Sequence, residues 1–350
     1  MRRDWNRVTV AVLCATVICF CVDGLSAQSP ALYQQTSYKG REIGKLTGDV
    51  YYARMDDYLS VFMVTPDGIV LVEPIGTEFG TWLKGELNTR FRVPVKYVIY
   101  SHHHWDHASG AQVFADTARL VGHENMLAHL AMPPATTPIP QNVRDQDVNQ
   151  NGRIEQSEAK GNLQRMFALY DVDADGALSG AEVTRGPLGN VRAPDLTYNS
   201  PITIRLGGKV VEIIPRPIAH ADDNTIVRFV DGAGVLFASD WITVSRVPFG
   251  GDVALESEIE MVAAVERMDF AQFVCSHGRL GTKADVSNNL RYRRELRDAV
   301  GKALAAGQTL EQAQASVTMD AYKDWEFYAE QRPGNVAGTY RALAAQRSGR

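Results

Sequence analysis

Val98-Ile99-Tyr100-Ser101-His102-His103-His104-Trp105-Asp106-His107 is the stretch around which this 350-residue chain is organised. Val95 to Tyr100, rich in β-branched and aromatic side chains, reads as a short buried strand. Three imidazoles and a carboxylate follow within six positions: His102, His104, Asp106 and His107. Side chains two apart on an extended loop point to one side, so His102 and His104 can chelate one cation. Asp106 and His107 can reach a second cation beside it. Imidazole nitrogen and carboxylate oxygen are the donors zinc takes where sulfur is absent. A lone His-x-His would read as a solvated turn; the strand before it and the Asp-His after it point to metal.

The stretch resembles the signature of the metallo-β-lactamase superfamily, which implies three later donors, each at the end of a strand. Candidates for all three are present. Strand Val210–Ile214 leads to Pro215-Arg216-Pro217-Ile218-Ala219-His220, and His220 fits the third histidine of the first site. Gly234–Ser239 is apolar and ends in Asp240, which fits the bridging aspartate. Phe273-Val274-Cys275-Ser276-His277 ends in the last donor of the second site. The resemblance thus implies two zinc ions, one held by His102, His104 and His220, the other by Asp106, His107 and His277, with Asp240 between them. It also implies an α/β fold, the αββα four-layer sandwich. The implied activity is hydrolysis by metal-bound hydroxide, attacking a carbonyl or a phosphorus or sulfur centre, with Asp106 orienting the nucleophile. Glu73 departs from the family, which commonly has aspartate at that strand end. An aspartate at 240 resembles the thioesterase and lactonase branches more than the β-lactamase ones. An ester, lactone or amide is therefore the expected small-molecule substrate. A zinc β-lactamase, or a catalytically idle metal- and calcium-binding protein, are the alternatives.

The chain begins with Arg2, Arg3 and Arg7, an apolar run from Val8 to Val22, and Leu25-Ser26-Ala27. This is the pattern of a cleaved export signal over residues 1–27, implying a periplasmic or secreted protein. The apolar run is shorter than the ~20 residues of a membrane span, so no membrane partner is expected after cleavage. Cys14, Cys19 and Cys21 would leave with the signal, and Cys275 alone remains, which excludes an intramolecular disulfide. The formal charge of −5 becomes about −6 without Arg2, Arg3, Arg7, Asp4 and Asp23. Nothing in that balance points to nucleic acid.

Residues 28–132 read as the first half of the hydrolase domain. Val50–Ala53, Ser60–Thr65 and Ile69–Glu73 are predicted strands, with Pro66-Asp67-Gly68 a hairpin turn. Phe79, Leu83, Leu87 and Phe91 recur every four residues and predict a helix over Thr77–Phe91. Ser109–Phe114 reads as a helix start, Arg119–Gly122 as a strand, Glu124–Ala131 as a helix. Residues 196–281 form the second half, β-rich to Ser245 and helical over Leu255–Met268. Residues 282–350 predict a helical extension, with helices over Thr282–Ala306 and Thr309–Val317. Its Tyr322, Trp325, Phe327, Tyr328 and Tyr340 read as core packed on the sandwich.

Residues 133–195 break the pattern. After a stiff connector (Pro133, Pro134, Pro138, Pro140) come two acidic twelve-residue stretches, 147–158 and 171–182. Both resemble the EF-hand calcium loop. Oxygen donors stand at positions 1, 3 and 5: Asp147, Asn149 and Asn151, then Asp171, Asp173 and Asp175. Glycine stands at 6, a backbone carbonyl at 7 (Arg153, Ala177), and glutamate at 12 (Glu158, Glu182). Two calcium ions are therefore expected in a small helical insert, with Ile154 and Leu178 pairing the loops. The loops begin 24 residues apart, so one shared helix over Glu158–Tyr170 is predicted between them. The second loop, with more carboxylates, should bind more tightly.

Overall fold

A computed structural model describes residues 38–216, 220–249 and 255–348. The export segment expected over 1–27 lies outside the described residues. Two β-sheets face one another. The first takes β1 (Arg41–Thr47), β2 (Val50–Met55), β3 (Tyr58–Thr65), β4 (Gly68–Val72), β5 (Val95–Ile99) and β6 (Arg119–His123). Two short strands of the acidic segment, β7 (Arg153–Glu155) and β8 (Ala177–Ser179), pair only with each other. β9 (Leu196–Tyr198) then closes the first sheet, giving the order β1-β2-β3-β4-β5-β6-β9. The second sheet runs in sequence order through β10 (Ile202–Leu206), β11 (Lys209–Pro215), β12 (Thr225–Phe229), β13 (Val235–Ala238), β14 (Gln272–Val274) and β15 (Leu280–Thr282).

Strand alternation divides the apolar side chains between two faces. In β3 and β4, Leu59, Val61, Met63, Val70 and Val72 point inward and meet Val211, Ile213, Val227, Phe229, Val235 and Phe237 of the opposite sheet. Their neighbours Phe62, Ile69 and Leu71 point outward and are covered by Phe79, Leu83 and Leu87 of α1 (Thr77–Phe91). On the far side, Leu236 and Phe273 pack under α7 (Leu255–Glu266) and α8 (Lys283–Ala305). The smaller helices are α2 (Trp105–Ala108), α3 (Met126–Leu130), α4 (Gly161–Arg165), α5 (Phe167–Tyr170) and α6 (Gly180–Arg185). The result is the αββα sandwich. α9 (Leu310–Ser316) and α10 (Tyr328–Ser348) add a further layer on α8, where Tyr292, Tyr322, Trp325 and Val336 share a core. No helix among the described residues is long and apolar enough to cross a membrane.

Three expectations need correcting, and one strand is new. β1 was not anticipated; it is an exposed edge strand, so its pattern carries little apolar signal. The helix expected over Glu124–Ala131 shrinks to α3, and the helix start at Ser109–Phe114 is a 3-10 turn over Ala111–Phe114. The shared helix over Glu158–Tyr170 is broken into α4 and α5. Glu158 is held in a turn by backbone N–H groups of Val148, Asn149 and Glu155, Gly161 has φ +59°, and Met166 leaves helical geometry at φ −112°, ψ 18°.

Candidate metal centre

Every donor of the centre follows a strand that ends at the same edge. β11, β13 and β14 run parallel to one another, so His220, Asp240 and His277 emerge together. β5 delivers His102, His104, Asp106 and His107 from the other sheet, the last two on the single turn of α2. The structure brings all seven residues together. One ligand atom from each of His102, His104, His220 and Asp240 lies within 4.8 Å of the others, and the same holds for Asp106, His107 and His277.

Asp240 joins the two groups. Its Oδ2 lies 3.4 Å from His220 Nε2, 3.8 Å from His102 Nε2 and 3.0 Å from His107 Nε2; its Oδ1 lies 3.4 Å from His277 Nε2. Asp106 Oδ2 sits 3.4 Å from His107 Nε2 and 3.9 Å from His277 Nε2. His102, His107 and His277 are buried. Burial, with the field of the neighbouring rings, holds His102 well below the ordinary imidazole range, and brings His104 down to about 4. Both are therefore neutral, the form that binds metal. His107 goes the other way: burial disfavours its cation, but Asp106, Asp240 and Glu73 outweigh burial and raise it well above that range. Burial pushes the Asp240 carboxyl up, yet His107 and His277 pull it further down, so it is anionic.

The residues fit two transition-metal cations. The donors are imidazole and carboxylate only, and the buried Cys275 thiol is turned to the backbone carbonyl of His277 at 3.0 Å. Two buried atoms, His107 Nε2 and Asp240 Oδ1, make no well-aligned hydrogen bond, although Asp240 Oδ2 and His277 Nε2 face them at 3.0 and 3.4 Å. A cation held among them would give both atoms a well-placed partner.

Several supporting residues were not visible in the sequence reading. Ser101, Ser239 and Ser276, each directly preceding a donor, meet behind the centre. Ser101 Oγ and Ser239 Oγ lie 2.9 and 3.2 Å from His102 Nδ1, and Ser239 Oγ lies 2.8 Å from Ser276 Oγ. The repeated serine-before-donor pattern was the available signal. Glu73, which the sequence did single out, is fully buried just after β4 and hydrogen-bonds His107 Nδ1, so the longer side chain does reach the histidine. His103 stacks on His129 with centroids 3.7 Å apart and pairs with buried Asp223 at 2.9 Å, fastening the His102–His107 loop to the His220 loop.

In the acidic segment β7 and β8 pair with Ile154 opposite Leu178. Asp147 accepts from the N–H groups of Asn151 and Gly152 at 3.0 Å, and Arg153 N donates to Asn151 Oδ1 at 2.9 Å. Asn149 Oδ1 accepts from Asn151 N, and Glu158 from Val148 and Asn149. In the second loop Asp171, Asp173 and Glu182 offer oxygens within 4.8 Å of one another. Asp175 does not join them: it pairs with Arg153 Nη2 at 2.6 Å, and that same nitrogen donates to the Ala177 carbonyl at 2.5 Å.

A family model described as Metallo-beta-lactamase superfamily matches residues 60–300. No curated protein matches the chain. Among solved structures, a metallo-beta-lactamase from Pontibacter korlensis is similar at 17% identity and TM-score 0.50, over 73% of this chain and 99% of that one. The inverting sec-alkylsulfatase Pisa1 from Pseudomonas sp. is similar at 16% identity and TM-score 0.57, over 86% of this chain. This chain spans 50% of the alkylsulfatase's length.

Proposed function

The chain belongs to the metallo-β-lactamase superfamily, whose members are metal-dependent hydrolases, and from that premise we propose an exported dinuclear zinc hydrolase of small molecules bearing an ester, lactone or amide carbonyl. The observation that carries this reading is Asp240, whose carboxylate faces histidines of both clusters, His220 on one side and His107 and His277 on the other. In it, His102, His104 and His220 would hold one cation and Asp106, His107 and His277 the other, with Asp240 shared between them. When bound, the pair supplies Lewis-acid polarisation of the carbonyl and a water of lowered pKa. The protein's own groups position the reactants. Asp106 would accept a hydrogen bond from the attacking water, and it is itself steadied by the Tyr58 hydroxyl at 3.4 Å. The neutral His102 and His104 leave the site's positive charge undiminished, favouring an electron-rich carbonyl oxygen. Export to the periplasm or medium rests on the pattern of residues 1–27, and two calcium ions on the loops at 147–158 and 171–182.

A zinc β-lactamase is the second reading, favoured by the match over the full length of the Pontibacter protein. The test is a panel of lactones, aryl esters, alkyl sulfates and nitrocefin on the zinc-loaded chain, beside Asp240→Ala. Turnover of esters or lactones, lost in the variant by roughly a hundredfold or more, is expected. Turnover of nitrocefin alone favours the second reading. Silence on every substrate with two zinc ions bound overturns both in favour of an idle metal-binding protein.

A further inference from the structure

The C-terminal segment reaches the metal centre through a chain of ion pairs whose inner link is buried. Asp57, in the turn between β2 and β3, is 2% exposed. Its carboxylate takes both arms of the Arg246 guanidinium, Nη1 donating to Oδ2 at 2.9 Å and Nη2 to Oδ1 at 2.6 Å. Arg246, also buried, donates onward to Glu326 Oε2 from Nε at 3.1 Å and from Nη2 at 2.9 Å. Glu326 lies between α9 and α10, and its backbone is bonded to Ser245 and Val247. On its other side Asp57 Oδ2 lies 3.4 Å from His277 Nδ1. The same turn grips the end of β14: Gly278 N donates to Asp57 O and Leu59 N to Ser276 O, each at 2.8 Å. Gly278 has φ +89°, a backbone that L side chains rarely adopt, and a Cβ there would crowd the Arg246 guanidinium at 3.2 Å.

A buried ion pair of this kind adds little stability over apolar packing. What it adds here is direction. With Nδ1 facing a fixed carboxylate, His277 turns Nε2 toward Asp106 and Asp240, 3.9 and 3.4 Å away. A carboxylate on the far nitrogen sets the tautomer and ring orientation of a metal-binding histidine. We propose that Asp57 is a positioning residue for His277, that Arg246 and Glu326 hold Asp57 in place, and that the C-terminal segment thereby completes the second metal subsite. This rests on the dinuclear reading above.

The test titrates the metal-free full chain with zinc against a chromophoric chelator, for wild type, Asp57→Asn and Glu326→Gln, with thermal unfolding alongside. The first zinc step should be unchanged in both variants. The second should weaken about 10–100-fold in Asp57→Asn and several-fold in Glu326→Gln. In the zinc-loaded wild type, imidazole nitrogen NMR should show His277 protonated at Nδ1, and that signal should be lost or exchange-broadened in Asp57→Asn. Two zinc ions in wild type with an unchanged second step in Asp57→Asn, whatever its melting temperature, overturns the proposal alone. If Asp57→Asn does not fold, an unchanged second step in Glu326→Gln overturns it. A wild type that takes one zinc overturns the dinuclear reading, and this proposal with it.

Discussion

Glu73 illustrates what a single methylene does at this site. It follows β4 directly with φ +64°, a left-handed backbone that is uncommon for non-glycine residues. From there the carboxylate meets His107 Nδ1, leaving Nε2 directed at Asp240 and Asp106. Glu73→Gln keeps the shape and removes the charge. Zinc at the cluster of Asp106, His107 and His277 should bind about 10–100-fold more weakly, with the fold retained. Equal affinity in a chelator competition would refute a supporting role. The seven proposed metal donors were legible in the sequence because each lies in a short segment that follows an apolar strand, where residue type and position coincide. Asp57 and Asp223 carried no such mark. Their partners, Arg246 and His103, lie 189 and 120 residues away, and only the packed sheets bring them together.

At the scale of elements, long periodic segments were readable and short ones were not. α1 spans the predicted Thr77–Phe91, because four apolar residues at helical spacing all find the first sheet. The acidic segment was harder: its turns are set by side chain–backbone hydrogen bonds, which periodicity does not report. It also has more of a core than its length suggested, since Ile139, Ile154, Leu163, Phe167 and Leu178 form a cluster of their own. Removing calcium should therefore loosen the loops more than the α4–α5 side. A cation bound only by the folded segment stabilises it by RT ln(1 + [L]/Kd), about 4 kcal/mol for millimolar calcium and a micromolar Kd. We expect calcium, and not magnesium, to slow proteolysis between Pro140 and Pro194, and Asp171→Ala to abolish most of that protection, because Asp171 belongs to the group of converging oxygens. Equal cleavage with and without calcium would leave the loops as acidic turns held by their own hydrogen bonds.

The whole molecule sets the pH at which metal can be held. One sheet supplies His102, His104, Asp106 and His107 and the other His220, Asp240 and His277, so the centre exists only when the inner faces are packed. Metal binding is then part of the folding free energy, and it competes with protons for the same nitrogens. The two clusters meet that competition differently. His104, brought down to about 4 by burial and its neighbours, and His102, held well below the ordinary imidazole range, present free nitrogens throughout the neutral range. His107, raised well above the ordinary value because Asp106, Asp240 and Glu73 outweigh burial, keeps its proton near pH 7 until a metal displaces it. A raised pKa means the proton is lost only at higher pH, so acidification favours the proton over the metal at His107 first. Zinc binding at pH 7 should release a proton in the step that fills the cluster of Asp106, His107 and His277, seen as a buffer-dependent heat in calorimetry. On equilibration at falling pH, that cluster should empty before the one formed by His102, His104 and His220, giving a one-zinc species by mass spectrometry between the two losses. Simultaneous loss, or retention of the His107 cluster alone, would show that the carboxylates around His107 do not govern metal release.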